Sequence, residues 1–249
     1  VSKNIDVSLP VSNIMTPNPQ SISPNATLFD ATLFMTKHNY HHIPVMNDMG
    51  LCGIVTSSDL MLAKQDDPVF LVQHIGRQTS PKEIHSTVKS LPNLLVQWIN
   101  SGIRAYQLSN ILTAISDAIT VRLIELAIKE IGPAPVPFCW LGFGSQGRSE
   151  QLLNADQDNG LLICDSVTES DKPWFESLAK RVSDGLNLCG YVYCPGNVMA
   201  TNERWRLPLS KWKATVDNWT KSPTPSAVMH TSIFFDLRSI YGEQSLCKQ

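Results

Sequence analysis

The sequence predicts a mixed α/β fold of the α+β type over its 249 residues, and three patterns support that prediction. Residues 11–66 alternate short apolar runs with one amphipathic helical pattern, while residues 67–133 carry apolar side chains mainly at helical spacing. Residues 134–249 begin with two apolar runs around a glycine-rich turn. We therefore expect a small β/α unit, a helical connector and a mixed sheet flanked by helices, after a polar linker at residues 1–10.

Composition and charge are those of an ordinary globular protein, with 43% hydrophobic and 17% charged residues. The formal net charge of −2 supplies no general basic field, so nucleic acid is not an expected partner. No apolar run approaches the roughly 20 residues of a membrane-spanning helix, and the polar N-terminus is unlike a signal peptide. We expect a cytoplasmic protein without a membrane partner. Because the chain begins at Val1 and starts a new element near its end, we also expect a piece of a longer polypeptide.

The six cysteines are scattered through the chain, mostly within apolar runs, and none belongs to a Cys-x-x-Cys pair. Cys189 and Cys194 are the closest two, without a His or Cys partner at zinc spacing. This pattern predicts buried free thiols and no structural zinc.

The first unit, residues 11–66, contains a helical pattern from about residue 28 and then two strand-like runs at 42–46 and 51–55. Thr56 or Ser57 can cap the helix that follows, and Asp59 occupies the position that completes a capping box with Thr56. A hydroxyl at a helix N-terminus also suits phosphate, and a carboxylate suits a ribose diol.

Three motifs stand out in this unit: Ile14-Met15-Thr16-Pro17, Ile43-Pro44-Val45 and Gly53-Ile54-Val55-Thr56-x-x-Asp59. With these motifs the unit resembles a CBS domain over nearly its whole length. In adenosine-binding members of that family, the Thr and Asp of the last motif contact phosphate and ribose, so the resemblance implies AMP or ATP as a ligand of Thr56 and Asp59. Helix capping remains an equal alternative for both residues. CBS domains work in pairs, so we expect a second copy upstream or in a homodimer.

The connector at residues 67–133 is predicted to contain helices that begin at Asp67-Pro68, at Ser80-Pro81 and at Ser109-Asn110. The last of these is predicted to be long and to end at Gly132. Its apolar side chains share one helical face, which is typical of core packing. They are Ile111, Leu112, Ile115, Ile119, Leu123 and Leu126.

The strongest functional pattern follows the connector, where an apolar run enters a glycine-rich turn and two alternating aspartates precede the next apolar run. Gly144 and Ser145 would leave backbone N–H groups and a hydroxyl to hold phosphate at the start of a helix. Asp156 and Asp158 would point to one side of an extended segment and could share Mg²⁺. Arg148 would contact phosphate or pair with Glu150 or another carboxylate. This pattern predicts a site for a nucleoside triphosphate and Mg²⁺.

A rival interpretation is a dinucleotide fingerprint, because Gly142-x-Gly144-x-x-Gly147 has the required spacing and Asp165 lies downstream. Only residues 148–153 separate the last glycine from a polar break, which is too short for a crossover helix. A P-loop is excluded because no Gly-Lys-Ser/Thr follows the glycines. The nucleotide and metal interpretation is therefore favoured over a dinucleotide site and over a solvated surface turn.

The last part of the chain is predicted to contain a helix from Asp171, a strand at 191–194, a helix from Leu209 and a strand at 232–236. The final strand would end in Asp236, where an aspartate can also serve to form a turn. Three tryptophans recur every seven residues and are predicted to seal one apolar face, not to stack on bases. They are Trp205, Trp212 and Trp219.

Four motifs of the second half of the chain carry a further resemblance: Gly144-Ser-Gln-Gly-Arg-Ser-Glu-Gln151, Asp156-Gln-Asp-Asn159, Val198-Met-Ala-Thr-Asn202 with Trp205, and Phe235-Asp-x-Arg238. Residues 138–164 resemble the nucleotidyltransferase superfamily that includes DNA polymerase beta, whose signature is a Gly-Ser turn followed about a dozen residues later by Asp-x-Asp. Residues 67–249 resemble, more specifically, transferase domains that follow CBS pairs in bacterial signalling proteins and are similar to the N-terminal part of protein-PII uridylyltransferase. The resemblance implies catalytic and metal-binding roles for Asp156, Asp158 and Asp236, the last as the third carboxylate that normally completes the site of this superfamily.

These patterns and the resemblance together predict an Mg²⁺-dependent nucleotidyltransferase that modifies a protein or small acceptor. The resemblance implies a uridylyl or adenylyl group as the one transferred. The resemblance implies regulation by adenine nucleotide at the CBS segment in bacterial signal transduction. The alternative is a non-enzymatic nucleotide-sensing module that acts in signalling or assembly. The joint presence of Ser145, Asp156 and Asp158 favours the enzyme.

Overall fold

The computed structural model describes residues 9–38, 40–60, 67–221, 224, 231 and 234–248. The chain divides into two compact units, Val1–Asp67 and Pro68–Gln249. The elements confirm the mixed α/β class predicted from the sequence. Among the described residues, no helix combines the length and the apolar character needed to cross a membrane.

The first unit contains helix α1 (Leu28–His38) and an antiparallel hairpin of β1 (His42–Asn47) and β2 (Gly50–Thr56). Ile22 adds a parallel bridge to the outer side of β1, and a helical turn at 57–60 follows β2. The predicted helix and both predicted strands are present. The core of this unit is small and consists of Ala31, Met35, Ile43 and Leu60.

The second unit begins with four helices: α2 (Pro68–Ile75), α3 (Pro81–Val88), α4 (Leu91–Asn100) and α5 (Ala105–Ile131). The predicted starts of α2 and α3 are confirmed. At α3 the hydroxyl of Ser80 accepts the backbone N–H of Glu83 at 3.3 Å, as expected of an N-cap.

Helix α5 begins one turn earlier than predicted, at Ala105 and not near Ser109. Arg104 is extended, and the side chain of Gln107 reaches back to accept the backbone N–H of Arg104 at 3.2 Å. A glutamine at this position caps the helix start as an acidic residue does. The helix ends, as predicted, at Gly132, whose φ of 89° is a conformation that favours glycine.

A four-stranded sheet forms the centre of the second unit, in the order β5-β4-β3-β6. Its strands are β3 (Phe138–Gly142), β4 (Asn159–Ile163), β5 (Arg206–Pro208) and β6 (Arg238–Gly242). Strand β3 is antiparallel to both β4 and β6, whereas β4 and β5 are parallel. Because the glycine-rich turn joins antiparallel strands, the parallel βαβ unit of a dinucleotide-binding fold is absent from this part of the described chain.

Both faces of the two central strands are buried, which explains why β3 and β4 are continuous apolar runs in the sequence. Trp140 and Leu161 pack in one cluster with α5 and with α7 (Lys172–Leu188). Leu141 and Leu162 belong to the opposite cluster, which is rich in aromatic side chains. Of the predicted α5 stripe, all members except Ile111 are buried.

The prediction for the three tryptophans is confirmed. Trp205 and Trp212 stack with their ring centroids 6.1 Å apart, and Trp219 packs against Trp205 at 6.2 Å. Trp212 lies on α8 (Leu209–Lys221) and donates its indole N–H to the carbonyl of Leu161 at 2.9 Å. These rings therefore seal one face of the sheet.

Two strand predictions are wrong. The segment at 191–194 forms only a single bridge from Val192, and Pro195, which lacks an N–H, follows it. In the segment at 232–236, the described residues Phe234 and those after it form the end of a helix and a turn, and the strand begins only at Arg238. Periodicity alone does not separate a short apolar strand from a short apolar helix. Residues 232 and 233 lie outside the described residues.

The prediction of buried thiols holds for one cysteine. All six are free, but only Cys139 is buried, Cys52 is exposed, and the others are partly exposed. Cys52 lies within β2 and is nevertheless exposed, so an apolar run in the sequence does not ensure burial.

We predict that Ile119→Ala lowers the free energy of unfolding of the second unit by about 2–5 kcal/mol, because the side chain is fully buried and its loss leaves a cavity. All six tryptophans belong to that unit, so tryptophan fluorescence during urea denaturation reports on it alone. Lys129→Ala, on an exposed position of the same helix, should change the value by less than about 0.5 kcal/mol. Equal effects of the two changes would contradict the assignment of this face of α5 to the core.

Candidate active site

The glycine-rich turn lies directly against the second aspartate. After β3, Phe143 donates its backbone N–H to the carbonyl of Asp158 at 2.9 Å, and the one-turn helix α6 (Gly144–Gly147) follows. Gly144 has a φ of +53°, and a Cβ at this position would lie 3.3 Å from Oδ2 of Asp158. Both the backbone conformation and the nearby carboxylate therefore favour glycine here.

The two predicted metal-binding carboxylates lie together. Oxygen atoms of Asp156 and Asp158 and the Sγ atom of Cys194 all lie within 4.8 Å of one another. Between the aspartates, Gln157 points into the protein and donates its amide to the carbonyls of Ser183 (3.0 Å) and Tyr191 (2.8 Å). Anchoring of this central residue holds both neighbouring carboxylates on the opposite side of the segment.

The electrostatics of this group suit a cation. Burial raises the pKa of Asp158 above its ordinary value, a hydrogen bond from the Cys194 thiol (3.3 Å) lowers it, and the nearby charge of Asp156 raises it. The two carboxylates repel each other while both are charged, and a divalent cation between them would remove that repulsion. Oxygen ligands of this kind are those that Mg²⁺ prefers, so the residues fit the predicted metal.

Arg148 pairs with carboxylates, one of the two roles left open by the sequence. Its guanidinium donates to Glu150 and to Asp236, each at 2.8 Å. The side chains of Arg148 and Asp236 are 43% and 38% exposed, so their ion pair contributes at most about 1 kcal/mol.

Asp236 does not end a strand, contrary to the sequence-based prediction, but lies in a turn before β6. Its carboxylate is engaged by Arg148. In the part of the chain that the structure describes, Asp236 does not form a ligand group with Asp156 and Asp158, and Cys194 is the third member of that group.

Sequence reasoning missed a polar brace behind the glycine-rich turn. Arg238 makes a bidentate pair with Asp117 of α5 (2.8 and 3.0 Å) and also donates to the carbonyl of Gln146 at 3.0 Å. The amide of Gln146 donates to Asp117 at 3.2 Å. The brace ties α6 to both α5 and β6. Its only sequence signal is a polar residue beside the apolar stripe of α5.

Further buried polar groups of α5 support the residues after the turn. The hydroxyl of Thr113 accepts the backbone N–H of Gln151 at 3.2 Å, and the hydroxyl of Ser116 donates to the side chain of Gln151. Gln146 also donates to Ser116 at 3.2 Å. Buried polar groups are tolerated when they are paired in this way.

In the first unit, Thr56 and Asp59 form a complete capping box. The N–H and the hydroxyl of Thr56 both donate to the Asp59 carboxylate at 2.8 Å, and the N–H of Asp59 donates back to the Thr56 hydroxyl at 3.1 Å. These hydrogen bonds lower the pKa of Asp59. Thr56 and Asp59 therefore cap the following helix in this structure, which is the alternative to ligand binding that the sequence left open.

A mixed sheet that places a Gly-Ser turn beside an Asp-x-Asp pair is the arrangement expected of a nucleotidyltransferase domain. Residues 89–226 match the family described as "Putative nucleotidyltransferase DUF294", and residues 11–66 match the CBS domain family. The first match covers more than half of the chain, so the chain belongs to that nucleotidyltransferase family. The predicted order of a CBS domain followed by a nucleotidyltransferase domain is thereby confirmed. No curated protein matches the chain.

We predict that Gly147→Ala destabilises the second unit, because a Cβ at this position would collide with the backbone carbonyl of Asp236. Overpacking costs about 1–3 kcal/mol, which corresponds to a Tm lower by about 2–4 °C per kcal/mol in a domain of this size. The matched control is Gly196→Ala, whose Cβ would meet its nearest neighbour at an ordinary 3.7 Å. Thermal denaturation followed by tryptophan fluorescence measures both. A Tm for Gly147→Ala equal to that of the control would contradict the close approach.

Proposed function

We propose that this protein transfers a nucleoside monophosphate from a nucleoside triphosphate to a protein or small acceptor. One observation carries the proposal: the carboxylates of Asp156 and Asp158 converge beside the Gly144-Ser145 turn within a domain of a nucleotidyltransferase family. The proposal extends to Mg²⁺ as the metal and to a uridylyl or adenylyl group as the one transferred.

The reaction forms a bond between an acceptor oxygen and the α-phosphorus, breaks the bond from that phosphorus to the oxygen that bridges to the β-phosphate, and releases pyrophosphate and the acceptor's proton. Such a transfer depends mainly on positioning and on stabilisation of charge.

The residues of the site would divide this work. Asp156 and Asp158 would hold a bound Mg²⁺, which would neutralise charge on the triphosphate. The first N–H groups of α6 and the Ser145 hydroxyl would hold the outer phosphates, because a helix start lacks internal partners for its N–H groups. Arg148 would reach phosphate only by leaving its carboxylate partners, and Asp236 would join the metal ligands only after losing Arg148.

Regulation by adenine nucleotide at the first unit is the second part of the proposal. It is supported by the CBS family match at residues 11–66. A ligand would bind at the helix start formed by Thr56 and Asp59, where an N–H donor and a hydroxyl already converge on one carboxylate. A second CBS copy, upstream or in a homodimer, would complete the pair. The setting proposed is bacterial signal transduction in the cytoplasm.

We predict that labelled nucleotide is incorporated into an acceptor when the chain is incubated with α-labelled ATP, UTP, GTP or CTP, Mg²⁺ and a bacterial lysate. Asp156→Asn and Asp158→Asn should each reduce incorporation by more than about 100-fold, since even outer-shell partners of metal sites are worth 10–100-fold. Asp171→Asn is the matched control, because this partly exposed aspartate lies outside the cluster and accepts hydrogen bonds from Thr168. Incorporation unchanged in both site variants would contradict the proposed role of the pair. Nucleotide binding without incorporation of any label would favour the non-enzymatic signalling module.

We predict that the first unit binds AMP or ATP and that Thr56→Val weakens this binding about tenfold or more, because a hydrogen bond to a charged group is worth about 1.5–3 kcal/mol. Isothermal titration calorimetry on the chain measures the affinity. Thr27→Val is a close control, since Thr27 and Asp30 form the same capping box at α1, with hydrogen bonds of 2.7 to 3.1 Å. Equal weakening by both variants would mean that Thr56 acts only as a cap. The absence of binding by the unaltered chain would contradict adenine-nucleotide regulation.

A further inference from the structure

Cys194 lies beside the aspartate pair because its segment runs parallel to theirs. Asp156 forms a parallel bridge with Val192, and the N–H of Gln157 donates to the carbonyl of Val192 at 2.9 Å. Two residues further along each segment are Asp158 and Cys194, and the Sγ atom lies 3.3 Å from Oδ1 of Asp158. Among the described residues, this is the one group of three metal-ligating side chains whose ligand atoms all lie within 4.8 Å of one another.

The loop that follows Cys194 is held close to it. The N–H of Asn197 donates to the carbonyl of Cys194 at 2.9 Å, and the N–H of Cys194 donates to Sδ of Met199 at 3.4 Å. Partners of this kind around a ligand orient it. The loop is itself anchored to the site, because the side chain of Asn159 accepts the N–H of Ala200 at 2.9 Å.

We propose that Cys194 is the third protein ligand of the cation site and that the site therefore binds a borderline divalent cation, of the class of Zn²⁺ or Co²⁺, through one sulfur and two carboxylates. Mg²⁺ is a hard cation that uses only the oxygen ligands, whereas thiolate together with carboxylate suits Zn²⁺ and Co²⁺. Zn²⁺ and Mg²⁺ would then compete for the aspartates, with Zn²⁺ binding more tightly. This inference rests on the proposed function for the use of the site, but the binding itself requires no transfer.

Titration of the chain with Co²⁺ tests the proposal, because a sulfur ligand gives a thiolate-to-cobalt charge-transfer absorption. We expect this absorption in the unaltered chain and expect Cys194→Ser to abolish it. Zn²⁺ should also bind to Cys194→Ser at least about tenfold more weakly, the loss typical of even an outer-shell partner. The matched control is Cys164→Ser, at a partly exposed cysteine that accepts a hydrogen bond from Ser166 outside the cluster. Absence of the charge-transfer absorption in the unaltered chain, or its persistence in Cys194→Ser, would overturn the proposal.

A second measurement uses only the unaltered chain and does not depend on the folding of a variant. Iodoacetamide labelling mapped by mass spectrometry should show that Zn²⁺ protects Cys194, whereas Cys164 is labelled equally with and without the metal. Equal labelling of Cys194 in both conditions would overturn the proposal. If protection and the cobalt absorption are observed while no nucleotide is transferred, the proposed function fails and the sulfur ligand stands. If nucleotide is transferred with Mg²⁺ but neither the cobalt absorption nor the protection of Cys194 is observed, the proposed function stands and the sulfur ligand fails.

Discussion

Five residues of β3 pair with five of β4 in antiparallel register, from Phe138 opposite Ile163 to Gly142 opposite Asn159. The next residues on the two strands are Phe143 and Asp158, and the hydrogen bond between them closes the same ladder. Because the glycine-rich turn leaves one strand at the point where the aspartates enter the other, the phosphate-binding and cation-binding groups meet at one edge of the sheet. A slip of one residue in this register would turn Asp158 to the opposite face.

The site is held from behind by helix α5, which has two chemically different faces. Ile115 and Ile119 bury apolar surface against the sheet, while Asp117 and Ser116 hold the glycine-rich turn through hydrogen bonds. Buried polar groups impose a geometry that apolar contacts do not, since each donor must meet its acceptor. The glycine-rich turn therefore depends on a rigid helix, not on its own four residues.

The sequence correctly predicted those features that are determined by residues close together in the chain. Proline at the first turn located α2 and α3, and the spacing of Asp156 and Asp158 indicated that their side chains share one side. The local pairing of Arg148 with Glu150 was also predicted. Features that depend on distant residues were not predictable: the pairing of Arg148 with Asp236, the brace at Asp117 and the place of Cys194 all result from tertiary packing. Cys194 reaches the aspartates through the single bridge between Asp156 and Val192, and no spacing of residues in the sequence indicates such a bridge.

The central strand acquires its two neighbours at very different times during synthesis. Strand β4 follows β3 closely in the chain, whereas β6 joins β3 only after about a hundred further residues have been translated. Arg238, which ties Gln146 to Asp117, comes with that late strand. The nascent domain on the ribosome thus holds both aspartates and the glycine-rich turn before it holds their brace. Translation of the segment around Arg238 is the step at which the site can first reach its final geometry.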